Sequence, residues 1–378
     1  MEVVQDVKIT QINANLERGG WECRFQALSD TDMFSIWQNL VLKWRGAFGG
    51  CPGSERLAFN GWVLPVRATF DRVGSIADMV AQTSDGFLRR GWLQGIGFME
   101  IDARTHYHQF SDDGTECPAE EMGHTMTIGK LVKHILGYYD TCNDIGPNWV
   151  AHTNMVYHPT ENPHGWIALD NLEITASADT DAYIVRETDN LWTRLREMAH
   201  NEFYEIVFDK SDVLFYQPHP MYQVALPLAV MTFDEDFSVG KPIVDMREAS
   251  VLRQVRLHAV TDEGDTLHSD YPAAPTFTYG NVLNISRIRC NEQAALDLWA
   301  ERKFKFENRD FTVRWTAPGL CGLLFELMDR IQITYTGTTS NGVHFDWSDK
   351  KFWIHDITVV PDPQFGGRST FTLEAESV

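Results

Sequence analysis

A two-residue rhythm near the C-terminus constrains the fold most. "FTVRWTA" (311–317), "DRIQITYTG" (329–337), "KFWIHDITVV" (351–360) and "STFTLEAES" (369–377) all alternate apolar and polar residues. Successive side chains of a strand point to opposite faces, so this alternation marks strands with one buried face. In the last segment Phe371, Leu373 and Ala375 share one face, and Thr372, Glu374 and Glu376 the other. Strands at this spacing, separated by Gly and Asn turns, predict a barrel or sandwich. Apolar residues make up 43% of the 378 residues, enough to fill real cores, and no long biased tract argues for disorder.

The same rhythm marks the N-terminal part. "DVKITQI" alternates, and "WECRFQAL" sets Trp21, Cys23, Phe25 and Ala27 on one face. "VLPVRATF" does the same with Leu64, Val66, Ala68 and Phe70, and "LQGIGFMEIDARTHYHQF" reads as one or two strands. "SIADMVAQTSDG" reads as a short helix between Ser75 as cap and Gly86 at its end. From 111 onward the chain changes character: a polar connector, then "TIGKLVKHILGYY", whose apolar stripe predicts a helix, then an irregular stretch rich in Pro, Gly, Asn and His.

The segment 189–220 starts with helical periodicity and ends as a hairpin. Asp189 is the expected N-cap, and Leu191, Trp192, Leu195, Met198 and Ala199 form the stripe. Phe203, Ile206 and Phe208 shift to strand spacing, "DKSD" (Asp209 to Asp212) turns, and "VLFY" returns. The apolar positions are all used in packing, which predicts a compact α+β unit. Farther on, "LRQVRLHAVT" alternates with Val255, Leu257 and Ala259 inward, and "CNEQAALDLWAERKF" predicts a helix capped by Asn291 with Ala295, Leu298 and Trp299 inward.

Charge limits the function classes. With 32 Lys and Arg against 53 Asp and Glu, the net charge is −21. Such a chain is ill-suited to grip phosphate backbones by counterion release. The six Cys at 23, 51, 117, 142, 290 and 321 include no C-x-x-C pair, which points to buried, reduced thiols made in a cytoplasm. The first residues show no secretory signal, and no window reaches the length of a membrane span.

Candidate chemistry is sparse. In "THYHQF" a strand would set His106 and His108 on one face, as two ligands of one metal need, with His152, His158 or His164 as further ligands. That motif carries the alternative reading of a metal-dependent hydrolase or carbohydrate-active protein. "DEDFSVGKPIVD" resembles a calcium loop through Asp234, Asp236 and Ser238. However, Val239 replaces the turn glycine and Asp245 the closing Glu, which predicts a solvated acidic turn. Glu197, Glu202 and Glu205 near His200 read as solvated charges at a helix end. Trp192, Trp299 and Trp315 lie in apolar patterns that predict burial. No nucleophile elbow, Walker loop, dinucleotide fingerprint or H-E-x-x-H occurs. The residues assign no catalytic, cofactor-binding or metal site.

The segment around 186–220 resembles the middle of bacteriophage baseplate hub (tail hub) proteins, the group that includes the late control protein D family. Trp192, the Phe208–Asp209 strand end and the Val213–Tyr216 strand carry the likeness. The C-terminal stretch is similar too. Leu327, Asp329, Ile331 and Ile333 match one strand pattern, with Met328 where glycine is usual. Phe352, Ile354 and Ile357 match a second, and Thr370 and Leu373 a third. The resemblance covers roughly 180–378. It implies a mainly β fold with α+β insertions: two tube-like β-barrel domains joined by smaller α+β domains. The expected division is 1–110 for an N-terminal barrel, 111–178 for a helical or irregular insertion, 179–245 for the helix–hairpin domain and 246–378 for a C-terminal barrel.

The role implied is that of a virion structural protein, not an enzyme. Three chains would form a ring that joins a sixfold tail tube to a threefold tip and lines the DNA channel. The implied partners are two further copies of the chain, a tail tube or distal tail protein, the tape-measure protein and tip or fibre proteins. DNA would pass without specific binding, and no cofactor or membrane insertion is implied. The expected location is the virion tail, after synthesis in the host cytoplasm. An acidic lumen suits this role, because it repels DNA phosphates. The chain stops soon after its last strand, so a fused cell-wall hydrolase is not expected.

Overall fold

The computed structural model describes residues 7–28, 38–44, 56–64, 76–89, 101–102, 156–157, 167–168, 172–174, 184–185, 190, 192–193, 195–196, 199, 204–219, 229, 231–246, 252–261, 264–275, 280–290, 293–308, 311–338, 344–362 and 366–375. Strands β1 (Val7–Asn15), β2 (Gly20–Leu28), β3 (Asn39–Trp44), β4 (Arg56–Val63) and β5 (Ile76–Gln82) precede a one-turn helix α1 (Asp85–Leu88). Short strands follow: β6 (Ile101–Asp102), β7 (Val156–Tyr157), β8 (Ile167–Ala168), β9 (Leu172–Ile174) and β10 (Ile184–Val185). Next come β11 (Tyr204–Phe208), β12 (Leu214–Pro218), β13 (Met231–Phe233) and β14 (Ile243–Met246). Strands β15 (Leu252–Val260), β16 (Thr266–Tyr271) and β17 (Asn281–Arg289) lead into helix α2 (Gln293–Glu307). The order ends with β18 (Phe311–Pro318), β19 (Arg330–Thr338), β20 (His344–Val360) and β21 (Arg368–Ala375). The fold is mainly β.

Both ends of the chain enter one eleven-stranded sheet. Its order is β14-β18-β21-β20-β1-β2-β5-β4-β3, with β19 beside β20 and β13 beside β19. The seventeen-residue β20 makes this continuity possible. Its residues 344–353 pair with β19, its residues 352–360 with β21, and its residues 356–359 with β1. β19 and β1 therefore follow one another along the same edge of β20. A register slip between Ile354 and Asp356 marks the changeover, as a bulge that bends and re-aims a strand does. One hydrophobic cluster spans the joint, from Trp21, Phe25 and Phe59 to Trp315, Ile333, Phe352 and Phe371. At its heart Phe233 lies 6.0 Å from Trp315, 5.7 Å from Phe325 and 5.4 Å from Phe371, ring centre to ring centre.

The four C-terminal strands and β15 follow the alternating pattern. Trp315, Ile331, Ile333, Phe371 and Leu373 are buried, as are Val255, Leu257 and Ala259. Met328, in the position where the tail hub pattern has glycine, holds φ 67°, a left-handed conformation that glycine adopts without strain. Strands β15 to β17 form a separate three-stranded sheet, order β16-β15-β17, with its own small core against α2.

Several sequence expectations need correction. Residues 76–82 are a strand, not part of a helix. "IADMVAQ" contains good helix formers, but its full-length antiparallel register with β2 decides the outcome. Only the one-turn α1 follows it. In α2 the inward positions are Leu296 and Ala300, while Leu298 is 37% exposed and Trp299 is partly buried. The helix is rotated so that Leu298 falls outside its packed stripe. Glu374, on the face opposite Phe371, Leu373 and Ala375, is also buried. That face is covered around Trp353, whose ring meets His219 edge-on at 6.3 Å. The Asn190 side-chain oxygen accepts from the Thr193 backbone N–H at 3.1 Å, as a capping residue does. Asp189 lies outside the described residues.

Candidate functional site

A buried polar seam lies where the hairpin β11–β12 meets both halves of the large sheet. The hairpin turn Asp209–Asp212 is shaped by its own first residue. Asp209 Oδ1 accepts from the backbone N–H groups of Ser211 at 2.8 Å and Val213 at 2.9 Å. That self-bonding is why Asp favours such turns. Asp212 then takes φ 67°, a left-handed conformation that Asp adopts more readily than most residues.

Toward the N-terminal strands, the Asp212 carboxyl accepts three hydrogen bonds. They come from Ser84 N–H at 2.5 Å, Ser84 Oγ at 2.7 Å and Trp62 Nε1 at 3.1 Å. Asn60 adds two more ties, donating its N–H to the Lys210 carbonyl at 2.7 Å and its Nδ2 to the Ser211 carbonyl at 2.9 Å. Toward the C-terminal strands, Lys210 Nζ reaches Glu326 Oε1 and the Leu323 carbonyl, each at 2.9 Å. One four-residue turn thus clasps both halves. Burial pushes the Asp212 carboxyl up to about 7, against the pull of the Ser84 and Trp62 donors. Burial also raises Glu326 to about 7, but its side chain is 30% exposed, so solvent weakens that effect.

A second polar cluster adjoins the clasp. Arg18, in the β1–β2 turn, contacts Glu22 and lies 3.5 Å from Asp85 Oδ2. Arg89 Nε lies 3.1 Å from the same oxygen. Thr83 Oγ1 donates to Asp85 Oδ1 at 2.6 Å and accepts from the Trp21 N–H at 2.9 Å. Burial raises Asp85 despite both guanidinium groups. Burial also pushes Glu22 upward, but Arg24, Arg18 and Gln82 outweigh it and hold that carboxyl below its ordinary value. Arg89 lies 5.7 Å over the Trp192 ring, so the cluster and the helix are joined. Trp192 also packs on Gly19, where an added Cβ would stand 2.3 Å from the indole. The Gly19 carbonyl accepts from the Phe208 N–H at 2.8 Å.

A third group sits at the strand changeover. Asp356 accepts from Asn15 Nδ2 at 2.6 Å and lies 3.0 Å from His355 Nδ1, while the His355 carbonyl accepts from the Leu16 N–H at 3.0 Å. Burial lowers the His355 pKa, but Asp356 and the charge of Glu374 outweigh it, so the ring is held above its ordinary value. Glu205, expected as a solvated charge at a helix end, is instead a buried strand residue whose carboxyl is pushed up to about 7 by burial.

Among the described residues, this arrangement ties the hairpin to both sets of strands. Of the sequence candidates, Asp234 lies in an acidic turn where it accepts from the Phe237 N–H at 3.1 Å, and Asp245 lies away in strand β14. Trp192 and Trp315 are buried. His106, His108, His152, His158, His164, His200, Glu197 and Glu202 lie outside the described residues. Among the described residues, no three His, Cys, Asp or Glu converge as a metal site, and no helix is long and apolar enough to cross a membrane. Cys23, Cys290 and Cys321 are buried and form no disulfide with one another, and burial raises Cys23 to about 12. Sequence reasoning misses the clasp roles of Ser84, Lys210, Asp212 and Glu326; the recognised turn that holds Lys210 and Asp212 is the available signal.

No protein-family model matches the chain, and no curated protein matches it. Solved structures do. The tail protein of Neisseria meningitidis MC58 aligns with a TM-score of 0.58 at 12% identity, over 98% of this chain and 95% of that one. The tail protein of prophage MuSo2 from Shewanella oneidensis aligns with a TM-score of 0.55 at 9% identity, over 97% of this chain and 96% of that one. The chain has the fold of these tail proteins.

Proposed function

We propose that this chain, which has the fold of prophage tail proteins, is the hub of a phage-type tail. One observation carries the reading: two proteins named for tails share its fold over nearly the full length of both partners. In this reading three chains form a ring, each giving two tube-like units. One unit is drawn from residues 1–110. The other is drawn from 246–378, and β13 and β14 of the linking domain pair with its strands. Residues 111–178 and the helix–hairpin domain 179–245 link them. The ring adapts the sixfold tube to a threefold tip and surrounds the channel through which DNA leaves. Its partners are the tail tube or distal tail protein, the tape-measure protein and tip or fibre proteins, and its place is the virion tail.

The seam supports a bracing role. A hub must hold two β units of one chain rigidly while forces pass along the tail. Here the two sets of strands share one sheet through β20, and the Asp209–Asp212 turn pins both. The charge of −21 supports passage of DNA without adhesion. Electron microscopy of purified tails labelled with antibody against this chain tests the proposal. Label at the distal end of the tube is the expected result. Label on the capsid or along the whole tube, or its absence from particles, would overturn it.

A further inference from the structure

Strands β15 and β16 place two histidines directly opposite each other. His258 pairs with His268 in the antiparallel register, and their ring centres are 4.6 Å apart. Val255, Leu257 and Ala259 face α2, so by strand alternation Arg256 and His258 face away from it. On β16, Asp270 and His268 occupy that open face opposite them. On β17, Asn284 and Ser286 lie beside Arg256 and His258. Both imidazoles are exposed.

His268 Nε2 lies 3.0 Å from Asp270 Oδ1, and Asp270 Oδ2 lies 3.7 Å from Arg256 Nε. The carboxylate stands at ion-pair distance behind His268 but makes no hydrogen bond to it in this geometry; carboxylates commonly lie behind metal-bound histidines. The His258 and His268 rings are tilted by 31° to each other. Metal–imidazole bonds of about 2.0–2.1 Å bring two nitrogens to a separation that neighbouring rings at this spacing can reach by rotamer adjustment.

We propose that His258 and His268 form a surface site for a divalent transition-metal ion, with the Asp270 carboxylate close behind His268. Two imidazole nitrogens suit copper(II), nickel(II) or zinc(II), with copper bound most tightly by the usual order of affinities. The remaining positions are open to water or to a group from another molecule. The acidic chain raises the local concentration of cations around it. The proposal does not draw on "THYHQF" and does not depend on the tail reading.

Titration calorimetry with copper(II) and zinc(II) on the chelator-treated full chain tests this. The expected result is one saturable equivalent in the micromolar range, tighter for copper. His258→Ala and His268→Ala should each weaken it severely, and Asp270→Asn, which removes the nearby charge, less. His106→Ala/His108→Ala should leave it unchanged. Both site histidines are exposed, so melting curves of the metal-free variants should match the parent and separate lost binding from lost folding. Undiminished binding in the His258→Ala/His268→Ala double variant would overturn the proposal, as would no saturable binding in the parent.

Discussion

Asp212 and Ser84, 128 positions apart in the chain, meet in a two-point hydrogen bond: the carboxyl accepts from both the backbone N–H and the hydroxyl of Ser84. With Trp62 as third donor, this contact fastens the hairpin to the N-terminal strands.

Asp212→Ala should therefore destabilise the protein by about 2–4 kcal/mol. It strands three donors, two of them on the buried Ser84, and leaves a β-carbon residue at φ 67° without its compensating bonds. Chemical denaturation measures it. Asp212→Asn, which tolerates that backbone and keeps an acceptor, should cost less. Equal losses for the two variants would contradict this role.

Stability should fall as pH rises from about 4.5 to 7. Asp212 and Glu205 ionise near 3.8 and 4.5 in the unfolded chain but at about 7 when folded. In that window the folded state holds more protons, so their stabilisation is present at the acid end and lost toward pH 7. His355, held above its ordinary value, acts in the same direction, being lost as pH rises through its folded pKa. Glu22, held low, acts oppositely and only below its ordinary 4.5. Thermal melts at pH 5 and pH 8 should show a higher midpoint at pH 5, and Asp212→Asn should narrow the gap. An unchanged gap in that variant would contradict the assignment to Asp212.

Trp192→Ala should cost about 3–5 kcal/mol, as loss of a large buried aromatic does. Gly19→Ala should also destabilise strongly, because φ is 79° and the added carbon meets the indole. The double variant should cost less than the sum of the singles, since removing the indole relieves the clash. Full additivity of the melting data would argue against the contact.

Lys210→Met should weaken the tie to the C-terminal strands while sparing the Asp212 contacts. The half-buried Glu326 carboxyl would lose its ammonium partner, and a loss of about 1–2 kcal/mol is expected by denaturation. Glu326→Gln in the same background should recover part of it. No recovery would show that the pair is not coupled.

The sequence made the strands with strict alternation legible. Trp315, Ile331 and Phe371 follow the period of two because each strand buries one face. "IADMVAQ" was misread because Ala, Met and Gln carry helix propensity, whereas pairing with β2 is a long-range fact that no local window contains. Leu298 was assigned inward because several phases of "AALDLWA" look amphipathic; packing against β15 and β16 selects Leu296 and Ala300. The clasp was illegible for a related reason. A turn such as "DKSD" ordinarily faces water, and only the tertiary fold brings Ser84, Trp62 and Glu326 to it. Glu205 was hidden in the same way, its burial set by neighbouring elements rather than by its own segment.

The hub account rests most directly on assembly. Light scattering of the purified protein at micromolar concentration gives its mass without a label. A mass three times that of the 43.2 kDa chain is the predicted result. A monomer that persists when the concentration is raised would contradict the three-chain ring.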